Sequence, residues 1–119
     1  MGEISVSDIV FVTFPFSDLS QMKLRPALVL AHAQHSDWIL CQITSRSYDD
    51  TEAIAINEVD FQTGFLSKVS YVRPHKIFTA NDQLIKKKVA SLTPAKHHEI
   101  IARIQKYCLM GINVRWSLL

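Results

Sequence analysis

Short apolar runs, each broken by turn-forming or polar residues, set the pattern of the first half of the chain. DIVFVT (8–13), PALVLAHAQ (26–34) and DWILCQITSR (37–46) are rich in β-branched and aromatic residues and bounded by Pro, Asp and Ser, which predicts three strands. Only His35 and Ser36 separate the second run from the third, so these two should form an antiparallel hairpin, although the favoured Asn-Gly or Asp-Gly turn is absent. Beyond them, AIAI (53–56) reads as a short strand and NEVDFQTG (57–64) as a helical turn closed by Gly64. KVSYVRP (68–74), KIFT (76–79) and KKKVASL (86–92) read as further short strands. A helix follows, with Thr93 as N-cap and Pro94 in its first turn. In PAKHHEIIARIQKYCLM it places Ile100, Ile101, Ile104 and Cys108 on one stripe that should lie on the sheet. The implied class is α+β, mainly β: a small antiparallel barrel-like fold with a C-terminal helix packed on it.

Length narrows this picture. At 119 residues and 48% hydrophobic composition, the expectation is one domain over 1–119, with a core of its own and no room for a second. The most apolar stretches, 27–31 and 39–43, are interrupted far short of a bilayer span. MGEISVSDIVFV has no basic region ahead of its apolar run and no small-residue cleavage pattern, so the expected location is the cytoplasm. Cys41 in ILCQI and Cys108 in KYCLM have no CxxC spacing and read as two buried, reduced thiols. Net charge is only +2, yet residues 47–60 hold five acids and no Lys or Arg, while 61–119 hold ten Lys or Arg against two acids. Such lopsidedness fits an anionic ligand on one side, and equally a solvated face.

Candidate chemistry begins on the third strand. Period-two alternation puts Ile39, Cys41 and Ile43 on one face and Gln42, Thr44 and Arg46 on the other, and the ITSR end offers two hydroxyls and a guanidinium suited to phosphate oxygens. The dipeptide Arg-Pro occurs twice, as Arg25-Pro26 and Arg73-Pro74. Proline holds the preceding residue in extended conformations, so each arginine stands on a stiffened stalk, with less entropy to lose on ordering around a phosphate. The other reading is that the prolines only end strands while the arginines pair with surface acids such as Asp18. Phe14 and Phe16 precede this region, and Phe16, nearer the loop tip, is the better base-stacking candidate. Lys86, Lys87 and Lys88 form a basic run, either a guide for a polyanion or a solvated face. No metal site is expected, since His97 and His98 are adjacent on a helix and His32 and His35 should fall on opposite faces of a strand.

With these residues in view, DIVFVTFPFSDLSQMKLRPALVL, WILCQITSR and SYVRPHKIFT together resemble the PemK/MazF family of type II toxin–antitoxin endoribonuclease toxins, over nearly the whole chain. The resemblance implies an SH3-like barrel, a homodimer, a separate antitoxin protein as partner, and cleavage of single-stranded messenger RNA without metal or other cofactor. In that chemistry the 2′-hydroxyl attacks the adjacent phosphorus, leaving a 2′,3′-cyclic phosphate and a 5′-hydroxyl. The family's main catalytic positions fall on Arg25 and Thr44. Arg25 would stabilise phosphate charge or, less readily because a guanidinium holds its proton tightly, protonate the leaving oxygen, while Thr44 with Ser45 orients the phosphate. Candidate RNA contacts are Phe16, Ser17, Lys23, Gln42, Arg46 and Arg73. Where several members carry an aspartate thought to act as base, this chain has His75, which is either a base titrating near neutrality or a surface residue. Ser7 stands where the family usually has glycine, and Thr13 where proline is common. Two other functions remain open: a non-catalytic gyrase-binding toxin on the same barrel, and an inactive RNA-binding relative.

Overall fold

The computed structural model describes residues 3–15, 22–46 and 51–117. Seven antiparallel strands occupy Asp8–Pro15 (β1), Met22–His32 (β2), Asp37–Thr44 (β3), Ile54–Ile56 (β4), Phe61–Gly64 (β5), Ser70–Asn81 (β6) and Ile85–Leu92 (β7), and one helix, Pro94–Ser117 (α1), follows. They form one sheet in the order β4-β6-β3-β2-β1-β7-β5. The two edge strands are therefore consecutive in sequence, joined only through a 3-10 turn at Glu58–Asp60. Seven flat strands would hold those edges roughly 29 Å apart at about 4.8 Å per strand. Five extended residue steps reach only roughly 17 Å, so the sheet has to curl into a half-barrel.

Asp60 fastens this closing turn. Its carboxylate accepts a hydrogen bond from the Asn57 N–H at 2.7 Å, and its carbonyl accepts from the Thr93 N–H at 2.8 Å. Its Oδ2 lies 3.5 Å from Nζ of Lys96, whose other ionic partner is Glu99 at 3.3 Å. Lys96 is buried, so these carboxylates balance a charge largely removed from water. Thr93 caps α1 as the sequence predicts, its Oγ1 accepting from the Lys96 N–H at 3.2 Å.

The central strands are buried on both faces. Ile9, Leu28, Leu30, Cys41 and Ile43 join one core with Ile100 of α1, while Val10, Val12, Ala27, Val29 and Leu40 join a second with Ala80 and Ile85. The unbroken ALVL run is thus explained, because alternate residues feed different cores. The face of β3 that carries Gln42 and Thr44 is in turn apolar at Leu40, where the sequence suggested a polar row.

Other departures have local causes. The segment 57–64 is a 3-10 turn followed by strand β5, not a single helical turn. KVSYVRP and KIFT belong to one long strand, β6, because Pro74 sits in a bulge: the β3–β6 register passes from Cys41↔Ile77 to Ile43↔Val72, leaving Arg73–Lys76 without ladder partners. A proline there removes no ladder bond. The β2–β3 hairpin forms, but its loop spans 33–36 with His35 at φ +54°, so His32 and His35 do not share a strand. Cys108 is exposed, unlike Cys41. Ser7, at the family's glycine position, has φ +81°, a left-handed backbone that glycine adopts without penalty. No described helix is long and apolar enough to cross a membrane.

Candidate active site

Where the ladder between β2 and β3 ends, a cleft opens. Pairing starts at Ala27↔Gln42, one residue past Pro26, which has no N–H to give. Continued by two residues, the same register sets Arg25 across from Thr44. Thr44 is in turn paired with Tyr71 of β6. The cleft encloses about 290 Å³, at the low end of ligand-sized cavities of about 300–1,000 Å³. Phe11, Leu24, Pro26, Ile43 and Leu66 supply its apolar lining. Its polar lining is Arg25, Thr44, Ser45, Ser67, Lys68 and Ser70.

Thr44 also shapes the loop that follows. Its Oγ1 accepts from the Arg46 N–H at 3.0 Å and lies 3.2 Å from the Arg46 carbonyl, which holds the chain in a tight turn just after the strand. Arg25 and Ser45 are exposed, Thr44 half-buried. On one side, the ammonium of Lys87 from β7 sits 5.8 Å from the centre of the Phe11 ring, adding a third cation beside the lining.

Arg73 and Gln42 lie outside that lining but are tied to each other. Arg73 Nη1 donates to Gln42 Oε1 at 2.9 Å, and the Arg73 carbonyl accepts from the Cys41 thiol at 2.8 Å. The bulge is thereby pinned to β3 from both its backbone and its side chain. Burial pushes the Cys41 thiol up to about 12 against the opposing pull of the Arg73 guanidinium, so this sulfur is not a nucleophile at neutral pH. His75 lies farther along the bulge, exposed, with its ring centre 6.2 Å from that of Tyr107 on α1 and not in the cleft. Phe16 and Ser17 lie outside the described residues, and Lys23 and Arg46 are exposed on either flank. Of the ten candidate residues, the structure brings Arg25, Thr44 and Ser45 into one cleft and couples Gln42 to Arg73.

Sequence reasoning missed Phe11, Ser67, Lys68 and Ser70. Phe11 reaches the cleft from β1, where it pairs with Pro26, and Ser70 from the start of β6, while Ser67 and Lys68 carry no local motif and arrive with the segment between β5 and β6. Among the described residues, no group of His, Cys, Asp and Glu is arranged to hold a metal ion.

The structure is thus an antiparallel half-barrel closed by a short turn, with a cationic, hydroxyl-lined cleft at its strand ends. Residues 5–108 match the family model of the PemK-like, MazF-like toxin of type II toxin-antitoxin systems, and the chain belongs to that family. The same fold occurs in the MazE–MazF complex of Deinococcus radiodurans, with a TM-score of 0.69 at 18% identity over 91% of this chain and 96% of that one. A Mycobacterium tuberculosis toxin, MazF-mt6, aligns at 0.63 and 16% identity over 83% and 93% of the two chains. An endoribonuclease from a mycobacterial species, solved with its cognate antitoxin, aligns at 0.62 and 13% identity over 95% and 96%. No curated protein matches the chain by sequence.

Proposed function

We propose that this toxin is a metal-independent endoribonuclease that cuts single-stranded messenger RNA by attack of a ribose 2′-hydroxyl on the adjacent phosphorus. The observation that carries the reading is the convergence of Arg25, Thr44 and Ser45 on one cleft, the residues for which the chemistry has a use. Its transition state places a second negative charge on the phosphorane oxygens. Arg25 supplies a fixed positive charge with a forked donor set to meet it, and the hydroxyls of Thr44 and Ser45 orient the phosphate. Arg73, Gln42, Lys23, Arg46, Phe16 and Ser17 contact the RNA on either side. His75, on the β6 bulge outside the cleft lining, takes the role of base only by its correspondence to the family's aspartate. A cognate antitoxin blocks the site, and two copies of the chain form the working dimer. Two relatives of the same fold are complexes of toxin and antitoxin, which supports the partner assignment.

The test is to incubate the purified protein with a long single-stranded RNA in EDTA and map the ends by primer extension. Discrete cuts leaving cyclic-phosphate ends are expected, lost in folded Arg25→Ala and Thr44→Ala variants. Full cutting by Arg25→Ala would remove the central assignment. No cutting by the wild-type protein, together with inhibition of gyrase supercoiling, would move the reading to the topoisomerase-binding class. A His75→Asn variant is expected to lose one limb of the pH–rate profile.

A further inference from the structure

We propose that Lys68 is the general acid of the cleft, giving a proton from its ammonium to the departing 5′-oxygen; this rests on the endoribonuclease reading. Phosphodiester cleavage by a 2′-hydroxyl needs a base, a counter-charge and an acid. Arg25 meets the second need and not the third, because a guanidinium does not give up its proton inside a protein. Thr44 has its hydroxyl engaged with the Arg46 backbone. The hydroxyl of Ser70 is given to the Lys68 carbonyl at 2.9 Å. His75 already stands as the base. Lys68 is the one other cation among the described lining residues, and an ammonium gives up a proton more readily than a guanidinium, which makes it the better acid of the two.

Placement supports the role. The Ser70 hydroxyl grips the backbone at Lys68 from a buried position in β6, where Ser70 pairs with Ile56. The side chain therefore projects from a fixed stalk at the cleft rim. Lys88 and Lys96 are held by Asp8 and by Asp60 with Glu99, but Lys68 makes no ion pair among the described residues, and its ammonium remains available to substrate. Arg25 reaches the cleft from β2 and Lys68 from the 65–69 connection, so the two cations arrive on separate segments. In the step itself the 2′-oxygen bonds to phosphorus as its proton passes to the base. The bond from phosphorus to the 5′-oxygen breaks, and a proton moves from Lys68 Nζ to that oxygen. The products are a 2′,3′-cyclic phosphate and a 5′-hydroxyl, and the neutral amine recovers its proton from water.

The experiment compares two RNAs cut at the same mapped position, one natural and one with sulfur in place of the bridging 5′-oxygen, a leaving group that needs no proton. Lys68→Ala is expected to slow cleavage of the natural RNA by about 100-fold or more, the usual contribution of a general acid, and to cut the sulfur-bridged RNA at close to the wild-type rate. Lys68→Arg, which keeps the charge and lacks a ready proton, should behave like Lys68→Ala. Three results would overturn the assignment: an unchanged rate on natural RNA, an equal loss on both RNAs, or full recovery with arginine. If the wild-type protein cuts neither RNA, the endoribonuclease reading fails first and this role goes with it.

Discussion

Gly64 is the position where one methyl group should do the most damage. It ends β5 at φ +65°, pressed against β7, and an added Cβ would lie 2.2 Å from the Val89 carbonyl oxygen and 2.9 Å from the Ala90 Cα. Both are backbone atoms, so no side-chain rotation relieves the overlap; β5 has to separate from β7. Gly64→Ala also forces a left-handed conformation that costs an L-residue about 1–2 kcal/mol. Reduced freedom of the unfolded chain returns about 0.4–1 kcal/mol of this. Loss of two ladder hydrogen bonds near Gly64↔Ala90 adds about 1 kcal/mol each. The expected net loss is roughly 2–3 kcal/mol, limited by what a four-residue strand contributes. Urea unfolding of Gly64→Ala beside wild type measures it through the midpoint at constant slope. Because Gly64 leads directly to Leu66, Ser67 and Lys68 at the cleft, RNA cleavage should fall even at temperatures where the variant is fully folded. A stability change under about 0.5 kcal/mol, within the range of ordinary surface substitutions, would refute the argument from close approach.

Ser7→Gly is expected to raise stability by about 0.5 kcal/mol, since relief of the left-handed serine outweighs the added freedom of glycine; an unfolding midpoint below wild type would contradict it. Ile100→Ala, which removes a fully buried helix anchor, should lose about 2–5 kcal/mol by the same measurement. His97 has its pKa lowered from 6.5, by burial first and then by the charge of His98. Its neutral form is therefore the one the folded state favours, and the unfolded chain binds the extra proton. Stability due to His97 is present above pH 6.5 and is lost as pH falls from there toward its lower folded value. Unfolding midpoints of wild type and His97→Gln should converge as pH is lowered through that window, and parallel curves would exclude the effect.

What could be read from the sequence follows from where each interaction lies along the chain. The three N-terminal strands, the hairpin and the capped helix were legible because their signals are local: apolar runs, a Thr-Pro start, a stripe at helical spacing. Both Arg-Pro pairs suggested strand ends, and neither is one: β2 starts at Met22 and runs through Arg25-Pro26 because β1 pairs with it there, and Pro74 sits in a bulge, since only the pairing with Cys41 and Ile43 shows that β6 resumes. FQTG carries little strand signal of its own and becomes β5 because Ala90 and Leu92 pair with it. Arg25 and Thr44 stood out by residue type and family position. Lys68 did not, because nothing in FLSKVS marks it until the chain folds that segment against residues 24–26 and 43–45.

The turn at 57–60 has a consequence for how the chain behaves in a crowded solution. The two edge strands, Ile54–Ile56 and Phe61–Gly64, pair inward with β6 and β7 and are tied to each other by this one connection. A disturbance of Asp60 would loosen the short ladders of both together, making two backbone edges more open to neighbouring molecules. Loss of the Asp60 carboxylate is thus a problem of colloidal stability before it is one of melting temperature, and turbidity on gentle warming is where Asp60→Ala should first declare itself.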